Sequence, residues 1–348
     1  MVAESRLRPL RFLVPGTTGR FRCGGLLVEL QTARLTSSLG ASAVVTYRQR
    51  EEGLEFLPDL LRREPAPGPA LWIVSWGFDV PGLLRRLHGR PVAYHAHSSG
   101  YGFDLPPGVP VLAVSRNTLG YWGNRAPRQP LHLLPNALAP QWLRPVAVAA
   151  QRPIDVLVQR RKCSDYVLRE LVPALRQRGL RVEVQDGWVD DLVGLFHNAT
   201  VVLYDSADYW RSRGVSEGFG LPPIEALASG CVVFSSLNHA LADTLDPGLV
   251  GHQIGAGTLA ADLDRISAAC AQPAAWRPDP ARLEALLAEC SEPVLLERWR
   301  AVLEAVNQHW DRLLAPGAAP PLRSPSRWSL RLARQRQRLA HAAGRLGF

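Results

Sequence analysis

Residues 216–236 read SEGFGLPPIEALASGCVVFSS. Glycines 218 and 220 mark a loop, and Leu221-Pro222-Pro223 opens a helix, since proline in the first helical turn lacks an N–H that would be unpaired there anyway. The helix covers Pro222–Ala228 and leads to an apolar strand, Val232–Ser235. Loop, short helix and buried strand in that order belong to an α/β fold with parallel sheets.

The alternation continues on both sides. Towards the N-terminus the expected strands are Leu10–Val14, Ala43–Tyr47, Leu71–Ser75, Pro91–His95, Val111–Val114 and Leu131–Leu134. Helices are expected at about Gly25–Ser38, Leu54–Arg63, Val80–Leu87 and Ser115–Gly123, the last with Ser115 as its N-cap. A proline-dotted stretch, Pro135–Pro153, breaks the pattern and reads as an interdomain linker. The alternation then restarts with strands Ile154–Val158, Arg181–Gln185 and Val201–Tyr204 and helices Ser164–Gln177 and Asp190–His197. Beyond the quoted stretch come helices Ala260–Cys270, Pro280–Cys290 and Leu295–Leu314. Two successive parallel-sheet domains are therefore expected, over 1–148 and 149–315, followed by a proline-containing spacer and basic tail over 316–348.

With 348 residues, 47% of them hydrophobic and 20% charged, the chain has the balance of a folded protein of two domains. It holds no run of eighteen apolar residues for a spanning helix and no N-terminal signal-peptide pattern. The five scattered cysteines lack C-x-x-C spacing and suggest neither a disulfide framework nor a zinc site, so a cytoplasmic location is expected. The net charge of +9 is uneven: no acid follows Asp311, while Arg323, Arg327, Arg331, Arg334, Arg336, Arg338 and Arg345 lie in the tail. The body is close to neutral, and a nucleic-acid partner is not expected. As a helix, the tail would line up Trp328, Leu332, Leu339 and Leu346 beside a stripe of arginines, which suits an anionic membrane surface. A disordered or docked tail is the plainer alternative. Of the forty basic residues only Lys162 is a lysine, and its compact point charge suits a phosphate site.

Within the opening stretch, Glu217 stands in the loop and Glu225 in the first helical turn, eight positions apart. A helix N-terminus with free amides is a natural place for a diphosphate. Flanking carboxylates repel phosphate and suit neutral hydroxyls on either side of it, a sugar at one end and a ribose at the other. E-G-F-G-L-x-x-x-E followed by A-L-A-S-G and an apolar strand resembles the donor-site signature of retaining GT-B glycosyltransferases of the family-4 type. The resemblance covers about 150–310 well and 1–150 more loosely. It implies two Rossmann-like domains facing a central cleft. The implied reaction moves a hexosyl group from a UDP- or GDP-sugar to an acceptor with retention of configuration, without an essential metal or other cofactor. Position by position, it puts Glu217 on the donor sugar, Glu225 on the ribose, and the amides of Phe219, Gly220 and Leu221 over the diphosphate or sugar.

The same resemblance implies a basic pair after the first strand of the second domain, here Arg160-Arg161-Lys162, with Arg161 preferred as the partner of Lys162. Family members separate the two cations by several residues, whereas these are contiguous. It also implies a glycine loop approaching the donor phosphate, matched by Gly24-Gly25, and a strand-end histidine facing the donor sugar, matched best by His97. Leu134-Pro135-Asn136 matches an element that closes the first domain. His95 and His97 as a metal pair are disfavoured, because no third or fourth ligand is visible nearby in sequence.

Other signals point elsewhere only weakly. Gly255-Ala-Gly257-Thr-Leu-Ala260 fits a loose dinucleotide pattern but reads as an ordinary helix start. Asp262 and Asp264 would diverge within a helix and are expected on a solvated face. The alternatives to transfer are a nucleotide-sugar epimerase, a phosphorylase with pyridoxal on Lys162, or a non-catalytic nucleotide-sugar binder. The segment Asp205–Val215, longer than the family's usual loop, leaves room for the last. The acceptor, whether glycan, lipid or small molecule, is expected to sit against the first domain.

Overall fold

The computed structural model describes residues 7–75, 77–144, 152–323 and 326–345. Seven strands form the first sheet: β1 (Leu10–Val14), β2 (Ser42–Thr46), β3 (Glu55–Phe56), β4 (Leu71–Val74), β5 (Val92–Ala96), β6 (Val111–Ala113) and β7 (Leu131–Leu133). Five form the second: β8 (Ile154–Gln159), β9 (Val182–Gln185), β10 (Ala199–Tyr204), β11 (Val232–Ser235) and β12 (His252–Gln253). The orders are β3-β2-β1-β4-β5-β6-β7 and β12-β11-β10-β8-β9, and every pairing is parallel. Central strands such as β4, β5, β10 and β11 are buried along their whole length. Helices cover both faces, which is why these strands are continuous apolar runs and not alternating ones.

Strand order reverses between β1 and β4 in the first sheet and between β8 and β10 in the second. Open parallel sheets bind ligands outside the carboxyl ends of strands at such switch points. The loops after β1, β4 and β5 meet those after β8, β9 and β10 across one cleft, as the contacts below show.

The expected strands recur to within a residue or two at each end, and three local differences have physical causes. Glu55–Phe56 pairs with β2, and the following helix begins only at Leu57, where Pro58 is tolerated in the first turn. The helix expected at Ser164–Gln177 starts as a π-helix, Tyr166–Leu171, and becomes α-helical at Val172–Gln177, around a proline, Pro173, that cannot donate to the preceding turn. Residues 207–213, read in sequence as part of an inserted loop, form a helix ended by Gly214 in the left-handed conformation.

Asp262 corrects an expectation. Its helix is capped by Thr258, and the two aspartates do diverge, but Asp262 is fully buried. It accepts hydrogen bonds from the Tyr166 hydroxyl at 2.8 Å and the Gly255 amide at 2.7 Å. Asp264, on the solvent side, pairs with Arg178. The first aspartate thus ties a loop to a helix.

The long helix Glu292–Leu314 follows the second sheet in sequence yet packs on the first. Leu295, Trp299, Leu303 and Val306 join Phe12, Leu71 and Ile73 in one core cluster. Trp310 Nε1 donates to the Val92 carbonyl at 3.1 Å, and Arg8 pairs with Asp311. Beyond it Pro321 packs near Gly108, and the helix Arg327–Arg345 follows; Trp328, Leu332 and Leu339 on it are exposed. Leu346 lies outside the described residues. Among the described residues no helix is long and apolar enough to cross a membrane.

Candidate active site

Glu217 lies in the loop that leads to the helix Leu221–Ala228, at the carboxyl edge of the second sheet. It is 4% exposed, and both oxygens of its carboxylate have partners. Oε2 accepts from the Tyr204 hydroxyl and from Trp210 Nε1, both at 2.7 Å, and Oε1 faces Lys162 Nζ at 3.4 Å. Its backbone N–H donates to His239 Nδ1 at 3.2 Å. Burial works to raise the Glu217 pKa, but the Lys162 charge and the hydrogen bonds from Tyr204, Trp210 and Ser206 outweigh it. The group is therefore held below the usual carboxylate range and is an anion at neutral pH.

Lys162 lies in the loop after β8 in the left-handed region, at φ 68°, a conformation that non-glycine residues adopt at some cost. Its ammonium sits 4.6 Å from the centre of the Trp210 ring. Trp210 therefore braces both members of the ion pair, by cation–π contact on one side and by N–H donation on the other. Glu225, expected in the first helical turn, projects from the second, because the helix Leu221–Ala228 begins one residue earlier than the sequence suggested and Glu225 is its fifth residue. Desolvation pushes its pKa up to about 7 against the pull of Lys162, and among the described residues nothing hydrogen-bonds to its carboxyl group. It keeps part of its surface open despite that loss of hydration. The amides of Phe219, Gly220 and Leu221 find no acceptor among the described residues either. Pro222 and Pro223 have none to offer, and no side chain caps the helix.

Across the cleft, His97 follows β5. Its Nε2–H donates to Glu29 Oε1 at 2.6 Å, and His95 Nδ1–H donates to the same oxygen at 2.7 Å. Burial opposes the charge on Glu29, yet the two imidazoles hold its pKa down to about 2. Desolvation, helped by His97, lowers the pKa of His95 despite Glu29, so His95 is neutral. These bonds fix the tautomers and leave His97 Nδ1 uncommitted among the described residues. The third ligand that the sequence did not show for the histidine pair is thus Glu29, and the three ligand atoms lie within 4.8 Å of one another. Hydrogen bonding to one shared oxygen already accounts for that cluster.

The lobes touch directly beside this group. Ser216 N–H donates to the Ser99 carbonyl at 3.1 Å, and the Ser98 hydroxyl donates to the Ser216 carbonyl at 2.5 Å. Ser99 N–H returns a bond to Ser216 Oγ at 3.0 Å. Gly24 and Gly25 open the helix Gly24–Thr36, and a Cβ on either would meet nothing within 4 Å. Arg22, just before them, lies over the ring of Trp188 from the loop after β9, which puts the glycine loop at the cleft.

Of the residues singled out in sequence, Lys162, Glu217 and Glu225 converge, and His97 meets them through its backbone. Arg161 does not join them: it is exposed and pairs with no described residue, while Arg160 pairs with Asp186 at 2.9 Å. Glu29, Tyr204, Trp210 and His239 were not legible as site residues. Only the tertiary fold brings these common residue types, far apart in sequence, onto the motif.

No protein-family model matches the chain, and no curated protein sequence does. Solved structures do. Sucrose-phosphate synthase from Thermosynechococcus elongatus superposes with a TM-score of 0.60 at 17% identity over 89% of this chain and 100% of that one. The fold is GT-B. AviGT4, a glycosyltransferase of avilamycin A biosynthesis, gives 0.60 at 15% identity over 86% of this chain and 98% of its own. Anabaena HepE in complex with UDP-glucose gives 0.60 at 14% over 86% and 100%. The two switch points facing one cleft are the GT-B arrangement of Rossmann-like domains, as expected from the sequence.

Proposed function

We propose that the chain is a retaining glycosyltransferase of the family-4 type, moving a hexosyl group from a UDP- or GDP-sugar without an essential metal. The observation that carries this reading is the pair of carboxylates set about Lys162, one engaged and one free, with three uncommitted amides between them. Glu217 bonds hydroxyls of the donor sugar, and Glu225 accepts from the ribose. Lys162 and the amides of Phe219, Gly220 and Leu221 neutralise the diphosphate, with Gly24 and Gly25 closing over it and Arg161 reaching in from the rim. His97 presents Nδ1 to the sugar. In the transfer, the bond from the anomeric carbon to the diphosphate oxygen breaks. The acceptor hydroxyl oxygen bonds that carbon on the same face, and its proton leaves on the nucleoside diphosphate. Stabilising the departing charge in a dry cleft is where such a site does most for the rate. HepE was solved with UDP-glucose, which makes that donor the first to try.

A thermal-shift panel of nucleotide sugars tests the reading, since a ligand bound only by the folded state raises the melting temperature. One donor should raise it and be slowly hydrolysed, and Glu217→Ala or Lys162→Ala should cut turnover by about a hundredfold or more. Near-normal turnover in either variant would sink the assignment. Binding without any hydrolysis or transfer would favour the non-catalytic alternative.

The tail extends the proposal. On the helix Arg327–Arg345, Trp328, Leu332 and Leu339 fall on one stripe, with Arg331, Arg334 and Arg338 adjoining. A cytoplasmic protein would lie with this helix in the interface of an anionic membrane.

A further inference from the structure

A pocket of about 520 Å³ opens between the lobes beside Trp210, lined by Phe78, Tyr101, Trp210 and Val215, with Arg48, Asp79 and Arg213 among its charged groups. That volume is in the range of small-ligand sites, roughly 300–1,000 Å³. Its wall is aromatic. Phe78 and Tyr101 meet edge to face at 4.9 Å, and Phe78 is 75% exposed although it borders a pocket. Trp210 contributes its ring to the pocket while its Nε1 donates to Glu217. A ligand against that ring is therefore one side chain away from the group assigned to the donor sugar.

The charges are unequal in what they leave available. The Arg48 guanidinium is taken up by Asp79, which also accepts from the Tyr47 hydroxyl at 2.6 Å. Arg213 lies 3.6 Å over the Tyr209 ring and bonds only the Tyr209 carbonyl and the Ser212 hydroxyl, with no carboxylate partner among the described residues. Arg48 and Asp79 cancel, so the pocket keeps one positive charge, at Arg213. Guanidinium groups recognise carboxylate and phosphate by paired N–H donation.

We propose that this pocket is the acceptor subsite and takes an anionic pyranoside, its ring stacked on the aromatic wall and its carboxylate or phosphate at Arg213. The inference rests on the glycosyltransferase reading of Glu217 for the word acceptor. The sugar specificity rests on the pocket alone. It also moves part of acceptor recognition to the second lobe, because Trp210 and Arg213 belong to the helix Ala207–Arg213.

Saturation-transfer NMR on the full chain, with methyl glucoside, methyl glucuronide and glucose 6-phosphate as probes, tests it. At least one anionic sugar should bind about tenfold more tightly than the neutral one, and the tighter of the two identifies the anion. Arg213→Gln should erase that preference while leaving neutral binding, and Phe78→Ala should weaken all three probes about fivefold. Equal affinity for neutral and charged sugars, a preference that survives Arg213→Gln, or no binding of any probe would overturn the proposal. UDP-glucose binding in the same samples reports separately on the donor site and should be unchanged in both variants. A chain that selects anionic sugars but binds no nucleotide sugar would keep the pocket and lose the transferase.

Discussion

A Cβ atom on Gly218 would lie 1.4 Å from the carbonyl oxygen of His97. The second lobe's site loop is thus laid flat on the first lobe's β5 end, and only glycine permits that approach. Gly218→Ala must move the loop away from His97, carrying Glu217 with it. Transfer should fall by about a hundredfold, since misplacement of about an ångström costs that much. Near-normal turnover in Gly218→Ala would show that this closed contact is not the working geometry.

Glu29 and Glu225 should give opposite pH dependences. The folded pKa of Glu29, about 2, lies below its ordinary 4.5, so its stabilisation is present above 4.5 and is lost as pH falls towards 2. Glu29→Gln should melt lower at neutral pH and show a flatter acid limb. Glu225, at about 7, keeps its proton in the folded state over a range where the unfolded chain has lost it. Its favourable contribution is complete below 4.5 and disappears as pH rises through 7. Without ligand, Glu225→Gln should remove that decline from a plot of melting temperature against pH. An unaltered slope in either variant would contradict the corresponding assignment.

Trp210→Phe keeps an aromatic ring beside Lys162 but removes the N–H bond to Glu217. A hydrogen bond to a charged group contributes about 1.5–3 kcal/mol, so turnover should drop by at least about tenfold. With one of its anion-stabilising bonds gone, Glu217 should titrate higher, and the acid limb of the pH–rate profile should shift upward. A lower rate with an unmoved limb would mean that Trp210 acts by packing alone.

Truncation after Pro320 removes the amphipathic helix and leaves the helix Glu292–Leu314 in the first core. The shortened chain should keep its melting temperature and nucleotide-sugar binding but lose sedimentation with phosphatidylserine vesicles. Equal vesicle binding by both chains would dispose of the membrane contact.

Sequence alone determined the two parallel-sheet domains, because buried strands alternating with helices write a local pattern that survives without knowledge of the contacts. It also placed Glu217, Glu225 and Lys162, since the glutamates belong to one short string and the lysine to a strand end. What only the tertiary structure decided is what surrounds them. Tyr204 reaches Glu217 from the end of β10, Trp210 reaches it because a helix replaces a loop after that strand, and Glu29 reaches His97 from a helix 68 positions earlier. The helix Glu292–Leu314 joins the first core, because its apolar face finds a partner there. The opposite outcome for Asp262, buried where a solvated face was expected, has the same origin. A carboxylate's environment is set by the groups that meet it in space, and these come from distant parts of the chain.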